Sequence, residues 1–338
     1  MSKKYHRNEH IVKKRKNELI ILIVFICVCV LGVIAYCFID SDNREASLNT
    51  DNKDIVKIGE VSCTPKQNIE TYLLMGVDVK GTVKKSSNAE DPGQSDVLIL
   101  LVIDREKNTY ATLPIHRDTL TDVDSLDEKG TVLATTKIQI ALAHANGDGK
   151  AISCENTVKA VSNLLKGQKI DGYAAFNMDA IKKLNHMVGG VEVTIEDDFS
   201  KSDKTLVKGN TILLSDEQAY HFLHDRMNVG DGTNDARMRR QSAYLKSLKK
   251  IVSQKTEKNQ QYPLDLFDGL EEYMVTTLTG NNVSRISKAI LKNKDLGQFD
   301  IKGTNAIDDY GYNAFTVDQD SLNDTIIELF YDRVDEVN

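Results

Sequence analysis

Four arginines and no lysine fall in the stretch HDRMNVGDGTNDARMRRQ, residues 224–241: Arg226, Arg237, Arg239 and Arg240. Guanidinium groups gathered beside a glycine-bearing loop suit anionic oxygens, which a planar fork meets two at a time. A long helix is expected from Asn234, an acceptable N-cap. Advancing about 100° per residue from Arg237 puts Tyr244, Leu245, Leu248, Ile251 and Val252 on one apolar stripe. Arg237 and Gln241 lie in the middle of that stripe and Arg240 on its edge, while Arg239 faces the opposite way with Lys246 and Lys250. An inward guanidinium must meet either an internal carboxylate or an anionic ligand, because burying it unpaired is strongly unfavourable. Arg226 faces the same space if the two helices flanking the loop form a hairpin, and free N–H groups at the second helix's start add partial positive charge. With no Walker sequence and no GxGxxG, an ordinary nucleotide site is excluded.

A second group lies earlier in the chain. TYLLMGV (71–77), DVLILLVI (96–103) and TYATLPI (109–115) read as strands. As an antiparallel meander they put Asp78, Asp96 and Arg117 on one rim of the sheet. Two carboxylates beside a phosphate can hold Mg2+, which takes one or two carboxylates plus substrate oxygens. Read singly, each aspartate is equally a strand-end turn residue.

The remaining elements are expected to frame these residues. Helices are predicted over 136–145, 154–165 and 178–187, the last stopped by Gly189-Gly190, with strands at 170–176 and 191–195. SDEQAYHFLHD opens with Ser215 and Gln218 in capping-box spacing and reads as a helix ending near Arg226. Residues 260–338 contain two helix-like segments, YPLDLFDGLEEYM and LNDTIIELFYDRV, and no site motif. Two or three helices and a strand or two are expected there. The fold class is α/β, a central mixed or antiparallel sheet flanked by helices.

The chain has 338 residues and a net charge of −7. Residues 19–39 form 21 consecutive uncharged positions, which as a helix span about 30 Å, enough for one membrane crossing. The run exceeds a signal peptide's apolar segment and ends in no small-x-small site, so an uncleaved anchor is the reading. Seven Lys/Arg precede it against Glu9 and Glu18, and Asp40 and Asp42 follow, which orients the N-terminus to the cytoplasm and the rest outside. The expected organisation is a basic cytoplasmic tail (1–18), the anchor (19–39), an extracellular linker (40–67) and one extracellular domain (68–338). Beyond residue 18 stand 36 basic against 48 acidic residues, which argues against nucleic-acid binding. Cys27, Cys29 and Cys37 lie in the anchor; Cys63 and Cys154 lie outside it, where a disulfide is permitted.

LLMGVDVK, GQSDVLILLVID, LPIHRDTLTDV, QIALAHANGDG, MVGGVEVTI and RMNVGDGTNDARMRRQ follow one another in the order seen in the LytR-CpsA-Psr family, which the chain resembles over roughly residues 68–250. The resemblance implies a phosphotransferase of Gram-positive envelopes that moves an anionic glycopolymer from a polyprenyl-pyrophosphate carrier to peptidoglycan. It implies Mg2+ on Asp78 and Asp96, and pyrophosphate contacts from Arg117, Arg226, Arg237 and Gln241, with Arg240 as a weaker one. It also implies an apolar tunnel for the polyprenyl chain, with the helices at 136–145 and 154–165 as lining. Family members often carry arginine where this chain has Lys80, Gln94 and His224. Lys80 keeps the charge and Gln94 only the hydrogen bonding, so both are expected as weaker pyrophosphate contacts. His116, beside Arg117, reads as structural. Asp118 could accept a proton from an attacking sugar hydroxyl and is equally a turn residue. Two other functions use the same anion site: a membrane-anchored receptor for wall polymer or lipid-linked intermediate, and a hydrolase that passes the phosphate to water.

Overall fold

The computed structural model describes residues 55–83, 92–225, 228–232, 234–308 and 311–334. The expected anchor at 19–39 lies outside the described residues, and among those described no helix is long and apolar enough to cross a membrane.

The strands in chain order are β1 Val56–Ile58, β2 Val61–Pro65, β3 Ile69–Val77, β4 Ser95–Asp104, β5 Thr109–Ile115, β6 Leu120–Leu126, β7 Val132–Gln139 and β8 Gly172–Phe176. They continue with β9 Glu192–Thr194, β10 Thr211–Leu213, β11 Met274–Thr276, β12 Lys294–Gln298, β13 Gly303–Ile307, β14 Asn313–Val317 and β15 Tyr331–Arg333. Six of these make the central sheet in the order β11-β8-β3-β4-β5-β12. β3, β4 and β5 run as the antiparallel meander, with Leu73 opposite Leu100 and Leu100 opposite Leu113. β8 joins β3, and β12 joins β5, in parallel, so the sheet is mixed.

Both faces of the sheet are covered, which is why β3 and β4 are apolar almost throughout rather than alternating. Successive residues still point to opposite faces. Tyr72, Leu74, Leu101 and Ile103 enter one core, shared with the Ala180–Val188, Asp216–His224, Asn234–Lys258, Tyr262–Gly269 and Gly280–Lys292 helices. Leu73, Met75, Leu98, Leu100 and Val102 enter a second, shared with the Ala151–Leu164 and Gln319–Phe330 helices. Helix boundaries follow local chemistry. Ser215 accepts from the Gln218 amide at 3.3 Å while the Gln218 side chain accepts from the Ser215 amide at 3.0 Å, completing the capping box. Gly189, at φ +81°, ends the Ala180–Val188 helix in the left-handed conformation that glycine adopts without strain.

Three expectations are corrected. The helix expected over 136–145 is only Leu142–Ala145: residues 136–139 belong to β7, which pairs with β6. The run TVLATTKI is rich in β-branched residues, which prefer a pleated strand, and the pairing with β6 overrides the helical spacing. Residues 56–65, read as linker, are strands β1 and β2, with β2 pairing both β1 and the distant β15. Residues 260–338 hold three α-helices and five strands among those described, more strands than expected. β12 and β13, KDLGQ and GTNAI, are short, largely exposed and without alternation, so local pattern does not reveal them.

Cys63 and Cys154 are both free and buried. Cys63 lies in β2 with its Sγ 3.6 Å from the Val56 carbonyl, whereas Cys154 approaches His144 Nε2 at 3.8 Å. Adding a thiol reductant is therefore expected to leave the thermal midpoint unchanged; a fall of several degrees would reveal a bridge between them.

Candidate functional site

The meander has the consequence expected of it. β3 ends at Val77 and hands over to Asp78, β4 begins at Ser95-Asp96, and β5 ends at Ile115 just before His116-Arg117, so all three side chains leave from one rim. The C-terminal end of β8 adds the segment Asn177–Asp179, because β8 is parallel to β3. Asp179 Oδ2 accepts from the Gly81 amide at 2.6 Å, and the Met178 amide donates to the Val79 carbonyl at 2.9 Å, which fixes the turn after Asp78 onto that rim.

Gln94 is the hub. Its amide donates to Asp78 Oδ1 at 2.6 Å, and its carbonyl accepts from the amides of Asp78 and Asp96, both at 3.1 Å. Its side-chain Oε1 accepts from Arg117 Nη2 at 2.7 Å, while Arg117 Nη1 donates to Asp96. The position where the family often carries arginine thus serves here to tie both carboxylates to Arg117. The loop can lie so close only because residue 93 is glycine. Gly93 has φ +75°, and a Cβ there would stand 2.4 Å from Val79 Cγ1.

Behind the loop lies His144, 1% exposed, whose Nδ1 is 3.1 Å from the Gly93 carbonyl. Burial lowers the His144 pKa, which favours the neutral ring, and raises that of the Cys154 thiol, which keeps it protonated. Neutral His144 can therefore donate from Nδ1 to Gly93 and accept from the thiol at Nε2. His144 and Gly93 were not among the expected site residues, although His144 stands within the quoted QIALAHANGDG.

The charge of Arg237 acts on this group. Burial raises the Asp96 pKa; Arg117 opposes the rise, the negative charge of Asp78 adds to it, and the charge of Arg237 lowers it. Asp78 and Asp96 are thus close enough to repel, with guanidinium groups of two separate elements acting on the same carboxyl. Arg226 and the side chain of Gln241 lie outside the described residues. The apolar stripe of the Asn234–Lys258 helix is inward as expected: Tyr244 and Leu248 are fully buried and Val252 is 1% exposed.

Arg240 departs from expectation. Its side chain is 2% exposed; Nη1 pairs with Asp197 Oδ2 at 2.7 Å, Nε donates to the Phe222 carbonyl at 2.8 Å, and Nη2 donates to the Asp225 carbonyl. It is bound inside the protein and braces the arginine-bearing loop rather than offering its fork to a ligand. Arg239, half-exposed, stands 3.8 Å from the same Asp197. Lys80 is exposed, its Nζ 5.4 Å from the Tyr220 ring centroid. His224 stacks on that ring at 4.9 Å and meets Asp225 at 3.2 Å through Nδ1, so it is engaged within its own helix end. Asp118 has Arg117 Nε 3.4 Å away and His116 Nδ1 3.8 Å away.

Among the described residues no cluster of three or more metal-ligating side chains occurs. Mg2+ does not need one, since phosphate and water can complete its shell. The mutual repulsion of Asp78 and Asp96 is the feature that fits a divalent cation. It also has a stability sign. A carboxyl raised above its ordinary value near 3.8 disfavours the folded state when ionised, and that cost disappears as pH falls below the ordinary value. Asp96→Asn, which keeps an acceptor for Arg117, is therefore expected to raise the thermal midpoint at pH 7 and to have little effect near pH 3. A lower midpoint at pH 7 would show that the Arg117 pair outweighs the repulsion.

Comparison with known proteins bears on the family and the fold. The LytR_cpsA_psr family profile matches residues 33–330. A curated relative from Bacillus anthracis, named polyisoprenyl-teichoic acid–peptidoglycan teichoic acid transferase TagU, is 29% identical over 183 residues, 54% of this chain and 53% of the relative. The chain thus spans about half the length of the first curated relatives it matches. The crystal structure of B. subtilis TagT aligns at a TM-score of 0.51 with 20% identity, covering 78% of this chain and 90% of that one. The structure of TagT bound to LI-WTA aligns at 0.53 with the same identity and coverage. At such identity these two alignments speak for the fold alone, a mixed sheet flanked by helices. With its profile matched over most of the 338 residues, the chain belongs to the LytR_cpsA_psr family.

Proposed function

We propose that this protein transfers an anionic glycopolymer from a polyprenyl-pyrophosphate carrier to peptidoglycan, on the outer face of a membrane to which residues 19–39 anchor it. The observation that carries the reading is the meeting of Asp78, Asp96 and Arg117 at one rim of the sheet, with the charge of Arg237 acting on Asp96 from the Asn234–Lys258 helix. Two carboxylates with guanidinium groups beside them suit a diphosphate better than a neutral sugar. The names of the curated relatives, polyisoprenyl-teichoic acid–peptidoglycan teichoic acid transferases, support the substrate class. The basic flank before residue 19 and the acids after residue 39 support the orientation.

A hydroxyl of the wall glycan attacks the sugar-linked phosphorus. The P–O bond to the lipid-side phosphate breaks, giving a phosphodiester and polyprenyl monophosphate. Mg2+ held by Asp78 and Asp96 would neutralise charge on the pyrophosphate oxygens. Arg117, fixed by Gln94, and Arg237 stabilise negative charge as it grows on the leaving phosphate, so catalysis is mainly positioning and electrostatics. Arg226 and Gln241 are proposed to complete the contacts, with Lys80 at the periphery. Asp118 is the nearest carboxylate to Arg117 after Asp96 and is the candidate to receive the hydroxyl proton. Hydrolysis differs only in the nucleophile, so product analysis separates it from transfer, and a receptor would leave the donor intact.

In full-length protein assayed with a lipid-linked donor and peptidoglycan, Arg237→Ala is expected to lower transfer roughly a hundredfold, about 3 kcal/mol of barrier. An unchanged rate would remove Arg237 from the site. Chelation of divalent cations is expected to stop transfer and added Mg2+ to restore it; turnover that persists under chelation would overturn the metal assignment.

A further inference from the structure

The loop His116–Thr119 is gripped from two sides. On its inner side the Ala141 amide donates to the Arg117 carbonyl at 3.1 Å and the Ile140 amide to the Thr119 carbonyl at 2.8 Å. On its outer side stands the β13–β14 hairpin, nearly two hundred residues later in the chain. The Phe315 amide donates to the Asp118 carbonyl at 2.7 Å, and Thr119 forms a parallel bridge with Phe315. The Phe315 ring stacks on His116, centroids 4.9 Å apart and planes 21° apart. Gln139, which pairs with Leu120 at the end of the same loop, donates from Nε2 to the Asn313 carbonyl at 3.1 Å. Residue 303 leaves room for the ring: a Cβ on Gly303 would lie 2.5 Å from Phe315 Cζ.

We propose that Phe315 is a positioning residue for Arg117, and that the C-terminal hairpin is part of the transfer machinery rather than an appendage. The inference rests on the reading of Arg117 as a phosphate-stabilising group. Phe315 reaches the loop through backbone and ring at once, on the residues immediately before and after Arg117. Arg117 itself is 39% exposed, so the protein restrains it through Gln94, Asp96 and its backbone rather than by burial. A loop freed on its outer side would let the guanidinium wander from the developing charge, and misplacement of about 1 Å can cost a hundredfold in rate.

The test is a double-mutant cycle in full-length protein, with Phe315→Leu to remove the stack while keeping apolar bulk, and Phe315→Ala as the harsher variant. Phe315→Leu is expected to lower kcat about tenfold, with the KM for donor within about twofold. In an Arg117→Ala background the same change is expected to cost less than about twofold, since there is no longer a guanidinium to position. Equal losses in both backgrounds, or wild-type kcat in Phe315→Leu, would overturn the proposal. Hydrogen exchange gives a readout that does not need turnover. Phe315→Leu should speed exchange at the Thr119 and Ala141 amides at least about tenfold relative to Leu100, and unchanged protection there would also overturn it. If the wild-type protein exchanges as expected but transfers nothing, the functional reading fails while the brace stands.

Discussion

Two carboxylates at the same end of an antiparallel meander are what the rest of the site is built to hold. Asp78 and Asp96 are brought together because β3 ends where β4 begins, and Gln94 binds both through its backbone. The fold keeps them near by the hydrogen bonds of a tight loop, a glycine without which that loop would strike Val79, and a buried histidine beneath it. Arg117 then joins the carboxylates without cancelling the pair, since it donates to Asp96 and to Gln94 while Asp78 stays exposed.

The cationic side of the site is held by different means. Arg240 and Asp197 form an ion pair that is nearly closed to water, with further donors satisfied by the Phe222 and Asp225 carbonyls. Such a pair adds little net stability over apolar packing, yet losing one partner leaves a stranded charge. Its value here is geometric: it joins the Asp197 segment, the end of the Asp216–His224 helix and the start of the Asn234–Lys258 helix at a single point. Three of the four arginines close in sequence therefore divide their labour. Arg240 is internal, Arg239 lies at the surface beside Asp197, and Arg237 acts electrostatically on Asp96.

Much of this was legible in the residues. Strand runs 71–77, 96–103 and 109–115 announced the meander and, through it, the shared rim, because a fully buried strand reads as a continuous apolar run. The inward stripe of Tyr244, Leu248 and Val252 followed from helical spacing. Arg240 at the stripe's edge was harder, since whether an edge residue meets ligand or protein depends on Asp197, more than forty residues away. β7 was misjudged because β-branched content and a cross-strand partner outweighed its helical periodicity. β1, β2 and the β13–β14 hairpin were hidden for another reason: short polar strands acquire meaning only from distant partners. Gly93 and Phe315 belong to the same class, since a close approach or a stack leaves no periodic trace.

β2 pairs with β15, so the beginning and end of the described fold meet in one small sheet, and β3 runs from beside it toward the rim. Nine residues at about 3.3 Å each make β3 a rigid rod of roughly 30 Å. Were the chain anchored through residues 19–39, as proposed, that rod would act as a ruler. The span from the first small sheet to the rim is set by β3 and stays constant however the body is oriented.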